Sequence, residues 1–306
     1  MVLGRRSLAR STHQQLSRCL SSTAEGSKTT HFGFEDVPIH EKQKRVASVF
    51  TNVASSYDSM NDAMSLGVHR LWKDSFTSRC GLSSSAIALR EFNASNKTLP
   101  PQTLDILDVA GGTGDISFRF VDQMDMKKAV IESTVKDCCT VTVSDINPGM
   151  LAVGKERAIQ KYGHELIDSG NLKFVEGNAE ELPFPDNSFD LYTISFGLRN
   201  VTDVPKALRD AYRVLKPGGR FLCCEFSEPV NETFRQVYDA YSFNVIPKMG
   251  EVVANDRESY QYLVESIRKF YRQVELEEEV RKAGFVNTSY ENYTGGIVAF
   301  HEGWKM

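Results

Sequence analysis

One stretch, Asp105 to Asp115, limits what this chain can fold into more than any other part of the sequence. It reads DILDVAGGTGD, which is a short apolar run, three closely spaced glycines and then a segment compatible with a helix. A strand, a glycine turn and a helix form the binding site of nucleotide-type cofactors. Glycine lets the ligand lie against the backbone, and the helix N-terminus offers free N–H groups. The stretch therefore predicts an α/β fold with a cofactor site at this turn.

A second acid, Asp145, indicates the class of cofactor. It ends the β-rich run CCTVTVSD, and a carboxylate there can accept hydrogen bonds from both ribose hydroxyls. In a dinucleotide fold this acid lies about 20 residues after the glycines; here it comes later, so we expect an insertion within Asp122 to Asp137. The glycines form neither G-x-G-x-x-G nor a Walker loop, and the acids Asp108 and Asp115 favour a cationic ligand over a pyrophosphate. S-adenosylmethionine is the predicted cofactor, with a Rossmann-type dehydrogenase as the alternative.

The rest of the chain continues the alternation of strands and helices. Further parallel strands are predicted at Leu172 to Glu176, Phe189 to Phe196 and Arg220 to Phe226. Four βα repeats and a fifth strand predict a parallel, doubly wound sheet. Two last strands, Phe285 to Tyr293 and Gly296 to His301, are expected to close it as an antiparallel pair. The prediction is one domain over residues 25–306, built on a seven-stranded, mostly parallel sheet.

Two helical segments are expected outside this repeat. Glu41 to Arg79 has apolar residues at helical spacing and includes YDSMNDAMSLGVHRLW, which predicts a helical cap. Glu228 to Gln273 follows the fifth strand, is rich in aromatic residues and is predicted to be a helical lid over the strand ends. The alternative for the signature in the first segment is a cap helix with surface polar groups and a tryptophan anchor, and the alternative for the second segment is an ordinary packed helical layer. Ser83 to Gln102 is polar, ends in two prolines and is predicted to be a connecting loop.

The predicted strand ends supply further candidate site residues. Asn178 and Ala179 follow a strand at the same sheet edge as Gly111 and Asp145. An amide there can bond the adenine edge, and a small residue leaves room for the ring; a polar turn is the alternative. The chain leaves the next strand through Gly197 to Asn200, which is expected to face the reactive end of the cofactor.

The N-terminal segment, Met1 to Ala24, has the composition of an organellar transit peptide. It contains four arginines, several serines and no acid, and cleavage is expected near Leu20. The alternatives are a basic tail that carries no targeting signal and a chloroplast transit peptide.

The net charge of −4 gives no electrostatic case for nucleic-acid binding. The six cysteines have the spacing of neither a zinc site nor a disulfide framework, so we expect no metal and a reducing compartment.

Four stretches together resemble one family. YDSMNDAMSLGVHRLW fits Y-D-x-M-N…S…H-x-x-W, and DVAGGTGD fits the family's cofactor motif. Two further motifs are matched by SFGLRNVTD, Ser195 to Asp203, and RVLKPGGRFLCCEFS, Arg213 to Ser227. From about Glu41 to the C-terminus the chain is similar to the ubiquinone/menaquinone-biosynthesis C-methyltransferases, which are class I methyltransferases. It departs from them in two long segments, in FYRQ instead of FPDQ, and at Cys224, where an aliphatic residue is usual.

The resemblance implies methyl transfer from S-adenosylmethionine to a ring carbon of a methoxy-polyprenyl-benzoquinol. With the glycine turn, it assigns six residues to cofactor binding: Gly111, Thr113, Asp145, Asn178, Ala179 and Ser195. Arg199 is expected to hold the phenolate, because its guanidinium stays charged, while Tyr57 and Asn200 complete a hydrogen-bond network around the ring oxygens. His69 is a candidate proton acceptor, although a structural histidine is the favoured interpretation. No metal or covalent nucleophile is required.

The resemblance and the arginine-rich leader together predict a place in the cell. They imply the mitochondrial matrix, peripheral contact with the inner membrane, and other enzymes of a ubiquinone-synthesis complex as partners; a homodimer is compatible with both. Two alternatives stay open. In the first, the chain is a methyltransferase for another lipid or aromatic compound, such as demethylmenaquinol. In the second, it is a non-catalytic assembly protein that keeps the fold.

Overall fold

The computed structural model of the protein describes the chain in four stretches: residues 29–53, 57–82, 104–126 and 139–306. The predicted transit peptide, the loop at Ser83 to Gln102 and most of the insertion expected within Asp122 to Asp137 lie outside these stretches. No helix within them is long and apolar enough to cross a lipid bilayer.

A short hairpin and three helices precede the central sheet. Their bounds are β1 (Thr29–Phe32), β2 (Glu35–Pro38), α1 (Ile39–Val53), α2 (Tyr57–Ser65) and α3 (Val68–Arg79). The predicted cap is therefore confirmed as helical, and it turns sharply after α2, where Leu66 and Gly67 have φ of 51° and 78°. The antiparallel hairpin was not predicted, because its two strands have only four residues each and are largely polar.

The central sheet has seven strands. They are β3 (Leu104–Val109), β4 (Cys139–Asp145), β5 (Leu172–Glu176), β6 (Phe189–Ser195), β7 (Leu215–Phe226), β8 (Val286–Tyr293) and β9 (Val298–Trp304). Their order is β5-β4-β3-β6-β7-β9-β8. The first five are parallel, and β9 runs antiparallel between β7 and β8. This is the predicted class I methyltransferase architecture.

Helices flank the sheet and fill the segment after its fifth strand. Those between parallel strands are α4 (Asp115–Gln123), α5 (Pro148–Tyr162), α6 (Glu165–Asp168) and α7 (Val204–Val214). The predicted insertion holds α8 (Glu232–Asn244), α9 (Ile246–Ala254) and α10 (Arg257–Lys269), and α11 (Gln273–Lys282) follows it. Both helical predictions are confirmed.

The sheet is covered on both faces, which explains why its strands read as continuous apolar runs. Ile106 and Leu107 are neighbours on β3 and both have no exposed surface, yet they belong to different clusters. Ile106 packs with Trp72 and Phe76 of the cap, and Leu107 packs with residues of α7 and α11. The cap is thus part of the main core and is fixed relative to the strand ends.

Two predicted strand boundaries differ from the structure by three residues or more. β7 begins at Leu215 instead of Arg220, because Leu215 already pairs with Phe189 before an irregularity in the ladder. The KPGG segment, residues 216–219, therefore lies inside this strand. β9 continues past His301, since Trp304 pairs with Arg220 on β7.

Candidate active site

A cleft, which we name the strand-end cleft, lies at the carboxyl ends of β3, β4, β5 and β6. Its wall contains all six residues that the sequence assigns to cofactor binding: Gly111, Thr113, Asp145, Asn178, Ala179 and Ser195. Parallel strands end at the same edge of a sheet, so four separate segments meet there. Helix α1 covers the cleft from the cap side through Gln43, Val46 and Ala47.

The glycine turn has the geometry that its sequence predicts. Gly112 and Gly114 have φ of 51° and 85°, which is the left-handed region that favours glycine. A Cβ on Gly111 would lie 2.7 Å from Val143 Cγ1, so a side chain there has no room. Helix α4 begins directly after Gly114, and its N-terminal N–H groups lie at the wall of the cleft.

Backbone strain is present where β3 and β6 end beside each other. Ala110 and Phe196 both have positive φ, 52° and 56°, a conformation that costs about 1–3 kcal/mol for a non-glycine residue. A Cβ on Gly197 would lie 2.4 Å from Ala110 Cβ. Since such strain clusters at functional sites, this contact supports a ligand site at the junction of the two strands.

Asp145 lies at the end of β4 and is held by the backbone. Its Oδ2 accepts a hydrogen bond from the Gly112 N–H at 2.9 Å, and its Oδ1 accepts one from the Asn147 N–H at 2.8 Å. Burial raises the pKa of the carboxyl, and these backbone donors oppose that shift. Each carboxylate oxygen keeps a lone pair for a further donor, which is the arrangement expected of a ribose-binding acid.

The opposite wall offers groups that can bind the adenine ring of a ligand and a hydroxyl or amino group of the same ligand. Asn178 Oδ1 accepts from the Glu180 N–H at 3.0 Å, which leaves its NH₂ group to donate to a ligand. Ala179 is buried beside it. Ser195 Oγ is buried and has no hydrogen-bond partner among the described residues. An adenosine-bearing cation fits this set of donors and acceptors better than a pyrophosphate does.

The two acids beside the glycine turn behave differently, which corrects part of the sequence-based argument. Asp115 is paired with Lys73 at 2.6 Å and with Arg119, so its charge is already neutralised. Asp108 is fully buried and accepts from Ser117 Oγ at 2.7 Å and from Thr193 Oγ1 at 3.0 Å. Burial raises its pKa to about 7. The negative charge available to a cation therefore comes from Asp108 and Asp145.

A second cavity, which we name the cap pocket, adjoins the cleft. The two share a wall of three side chains, Phe50, Lys73 and Phe196. The rest of the cap pocket comes from α2, α3, the strand ends and α10, including Met60, Asn61, His69, Arg199, Phe226 and Leu263. It is mostly apolar with a few polar groups, which is typical of small-molecule sites.

Arg199 lies in the cap pocket wall, but its charge is already paired. It is 5% exposed, and its Nη1 donates to Glu225 Oε1 at 2.9 Å and also to the Phe196 carbonyl. The guanidinium lies over the Phe226 ring, 5.4 Å from its centroid. Its Nε is buried and has no partner in the described part of the chain. The cation that the sequence predicts to hold the phenolate is therefore already in an ion pair, and its buried Nε is a donor without a partner among the described residues.

The other two predicted catalytic residues have different outcomes. Asn200 lines the strand-end cleft; its Oδ1 accepts from Tyr262 Oη at 2.9 Å, and its Nδ2 is buried without a partner in the described stretches. Tyr57 is the first residue of α2, and its side chain is outside the described part. The predicted network around a ligand is therefore represented by Asn200 alone.

Sequence reasoning missed the partners of these residues. Glu225 pairs with Arg199, and Lys73 lies in the wall that the two cavities share. Asp62 accepts from His69 Nε2 at 2.8 Å. Lys73 and Asp62 lie inside or next to the cap signature, which was a usable signal. Glu225 lies in an apolar strand, and nothing local connects it with Arg199.

Comparison with known proteins gives consistent results along almost the whole chain. A family model described as the ubiE/COQ5 methyltransferase family matches residues 39–305. A ubiquinone/menaquinone biosynthesis C-methyltransferase UbiE of Brucella abortus (strain S19) is 51% identical over 283 residues, covering 92% of this chain and 93% of that protein.

Two animal proteins are similar to the same extent. A mitochondrial 2-methoxy-6-polyprenyl-1,4-benzoquinol methylase of Drosophila melanogaster is 46% identical, over 95% of this chain and 91% of that protein. The protein of that name from Danio rerio is 48% identical, over 94% of this chain and 88% of that protein. All three similarities include the cap, the sheet and the insertion.

Proposed function

The chain belongs to the ubiE/COQ5 methyltransferase family, and from this premise we propose that it C-methylates 2-methoxy-6-polyprenyl-1,4-benzoquinol in ubiquinone synthesis. It is an S-adenosylmethionine-dependent methyltransferase. The observation that carries the proposal is the shared wall of Phe50, Lys73 and Phe196. A cofactor in the strand-end cleft and an aromatic ring in the cap pocket are then adjacent, since both contact these three side chains.

Within the strand-end cleft, each group has a proposed task. Asp145 accepts from the ribose hydroxyls, Asn178 donates to the adenine edge, and Ser195 Oγ and Asn200 Nδ2 are free to bond the ligand. Asp108, with a pKa near 7, favours a cation beside it. Bound there, S-adenosylmethionine supplies an electrophilic methyl group.

The cap pocket holds the quinol ring in this proposal. A ring carbon of a quinol is a weak nucleophile until a ring oxygen loses its proton, so the protein must orient that oxygen and favour its ionised form. Arg199 Nε is a buried donor with no partner among the described residues, and we assign it to a ring oxygen. Glu225 fixes the guanidinium plane. Tyr57 remains a proposed partner of the ring oxygens on the resemblance alone.

The direct test uses purified protein, S-adenosylmethionine and a short-tailed methoxy-benzoquinol kept reduced. We expect one methyl group per ring on carbon, and loss of kcat without loss of cofactor affinity in Arg199→Met. Faster turnover of demethylmenaquinol would favour the alternative substrate. In cells lacking the protein, Asp145→Ala should fail to restore ubiquinone; full restoration would support a role in assembly alone.

We also propose that the insertion places the enzyme on a membrane, since a prenyl tail is nearly insoluble in water. Val252 and Val253 of α9 are 84% and 55% exposed, and Val237 of α8 is 63% exposed. The cap pocket is walled by α10 of the same insertion, through Tyr260 and Leu263. The tail then leaves the pocket toward this apolar surface.

Vesicle co-flotation tests the membrane proposal. Val252→Ser with Val253→Ser should reduce binding to anionic vesicles and raise KM for a long-tailed quinol far more than for a short-tailed one. The matched control is Val274→Ser on α11, an equally exposed valine outside the insertion. Equal effects of both variants would contradict the assignment of this surface.

For the location, we propose the mitochondrial matrix, with removal of the arginine-rich leader near Ser21. The two animal relatives carry the word mitochondrial in their names, which supports a mitochondrial location. N-terminal sequencing of the protein from purified mitochondria tests it. A protein that retains Met1 and is found in the cytosol would contradict it.

A further inference from the structure

The cap pocket contains a histidine oriented by a carboxylate. His69 on α3 is 8% exposed and lines the pocket. Its Nε2 lies 2.8 Å from Asp62 Oδ1. An ionised carboxylate only accepts hydrogen bonds, so Nε2 carries the ring proton and Nδ1 keeps its lone pair. Nδ1 is buried, and the described residues supply no partner for it.

The chain between the two residues is folded to make this contact. Leu66 and Gly67 turn left-handed between α2 and α3, and the Gly67 N–H donates to the Asp62 carbonyl at 2.9 Å. Arg70 binds both carboxylate oxygens of Asp62, at 2.8 and 2.6 Å. The guanidinium and the imidazole hold the pKa of Asp62 well below its usual range. Asp62 therefore stays ionised and keeps the imidazole in one tautomer.

Burial, more than the surrounding charges, keeps His69 neutral. Burial is the largest influence and lowers its pKa below 6.5, assisted by Lys73 on the same helix. Asp62 from α2 and Asp115 from α4 oppose the shift. Arg199, which faces the same pocket, is paired with Glu225. At neutral pH the imidazole is therefore in its basic form.

We propose that His69 is the general base that takes the phenolic proton of the quinol, with Asp62 as its positioning residue. This assignment rests on the proposed function. The quinol O–H bond breaks, its proton forms an N–H bond at Nδ1, and the electron pair stays on oxygen as phenolate. When the methylated ring loses its C–H proton to water, Nδ1 returns its proton to the ring oxygen. The histidine is then neutral again, and one proton is released to solvent per turnover.

This assignment gives the two tasks at the ring oxygen to two different side chains, Arg199 and His69. A guanidinium stays protonated in proteins and is a poor base. Arg199 is then the group that holds the ring oxygen, and His69 is the group that removes its proton. The pocket provides both within one wall.

The test compares His69→Gln with a matched control, His301→Gln, which is the same substitution at a buried histidine of β9 that lines neither cavity. For His69→Gln we expect a fall in kcat at pH 7 of roughly 100-fold or more, as for loss of a general base, with unchanged affinity for S-adenosylmethionine. Its kcat should keep rising toward the pKa of the quinol itself, whereas the wild-type kcat levels off near or below pH 6.5. A more acidic, ring-fluorinated quinol should recover most of the lost rate.

A second readout needs no turnover. Nitrogen-15 spectra of the imidazoles in the free protein should show His69 as the Nε2–H tautomer, and Asp62→Asn should loosen that preference. Nδ1–H as the main tautomer would overturn the assignment, as would wild-type kcat and pH profile in His69→Gln. A wild-type protein that does not methylate the quinol would instead overturn the proposed function on which the assignment rests.

Discussion

The strand-end cleft and the cap pocket adjoin each other, but they are built in different ways. The cleft is made from the ends of parallel strands, and its polar groups are held by nearby backbone, as Asp145 is held by Gly112 and Asn147. The cap pocket is made from segments as distant as Met60 and Leu263. Its buried polar groups depend on side chains from other elements. The topology of the sheet therefore specifies the first site, and tertiary packing specifies the second.

The largest effect is expected where the cap pocket depends on a distant partner. Glu225→Gln leaves the Arg199 guanidinium buried without a counter-charge, and breaking a buried pair in this way costs about 3–5 kcal/mol. Chemical denaturation measures the loss. Cofactor affinity at the strand-end cleft should change little, and Glu225→Gln with Arg199→Met should recover much of the stability. A variant that keeps wild-type stability would show that the pair is not needed in the pocket.

A gain in stability is expected in the cleft. The pKa of Asp108 is raised to about 7 in the folded protein and is near 3.9 in an unfolded chain. The unfolded state binds fewer protons between these values, so folding stability falls as pH rises from about 4 to 7. Asp108→Asn removes this cost, which at about 1.4 kcal/mol per pKa unit amounts to roughly 2–4 kcal/mol above pH 7.

Denaturation of the free protein at pH 5 and pH 8 measures this gain. The stabilisation by Asp108→Asn should be larger at pH 8, and the variant should bind S-adenosylmethionine more weakly there, because a cation loses its carboxylate. Equal stabilisation at both pH values would mean that Asp108 is already ionised at pH 5. If Asp108→Asn were less stable than the wild type at pH 8, the stability cost assigned to the buried Asp108 carboxylate would be contradicted.

A smaller effect is expected at the ribose end of the cleft. Asp145→Ala removes the acceptor for two hydroxyls, and charge-assisted hydrogen bonds are worth roughly 1.5–3 kcal/mol. Calorimetry should show weaker cofactor binding, while quinol binding in the cap pocket stays within a factor of a few. Unchanged cofactor affinity would place the ribose elsewhere.

The same contrast decides how much could be predicted from the sequence. The glycine turn, Asp145 and Asn178 each follow a recognisable strand, and strand ends of a parallel sheet meet by topology, so their meeting in one cleft was predicted. The α1 residues and Lys73 in the wall of that cleft were not predicted. The existence of the cap and the helical insertion was also predicted from helical periodicity and aromatic content. Their packing was not, because it depends on contacts such as the hydrogen bond that Tyr241 Oη of α8 donates to the Met64 carbonyl of α2 at 2.9 Å.

Arg199 illustrates what local patterns miss. Its position after β6 was predicted, but the pairing of its charge depends on Glu225, which lies 26 residues later on β7. The contact arises because β6 and β7 are parallel neighbours whose ends meet. The apolar sequence around Glu225 does not show whether its carboxylate is buried and paired or exposed to solvent at a strand end.

The central claim is that the two cavities form one active site, in which a methyl group passes from the cofactor in the strand-end cleft to the ring in the cap pocket. The most direct measurement is carbon-13 NMR of the product formed from ¹³C-methyl S-adenosylmethionine and a short-tailed methoxy-benzoquinol. The account predicts an aryl C–CH₃ signal with loss of one ring proton, abolished in Leu263→Trp, which fills the cap pocket without touching the cleft. Methyl transfer to a ring oxygen, or undiminished C-methylation by Leu263→Trp, would contradict it.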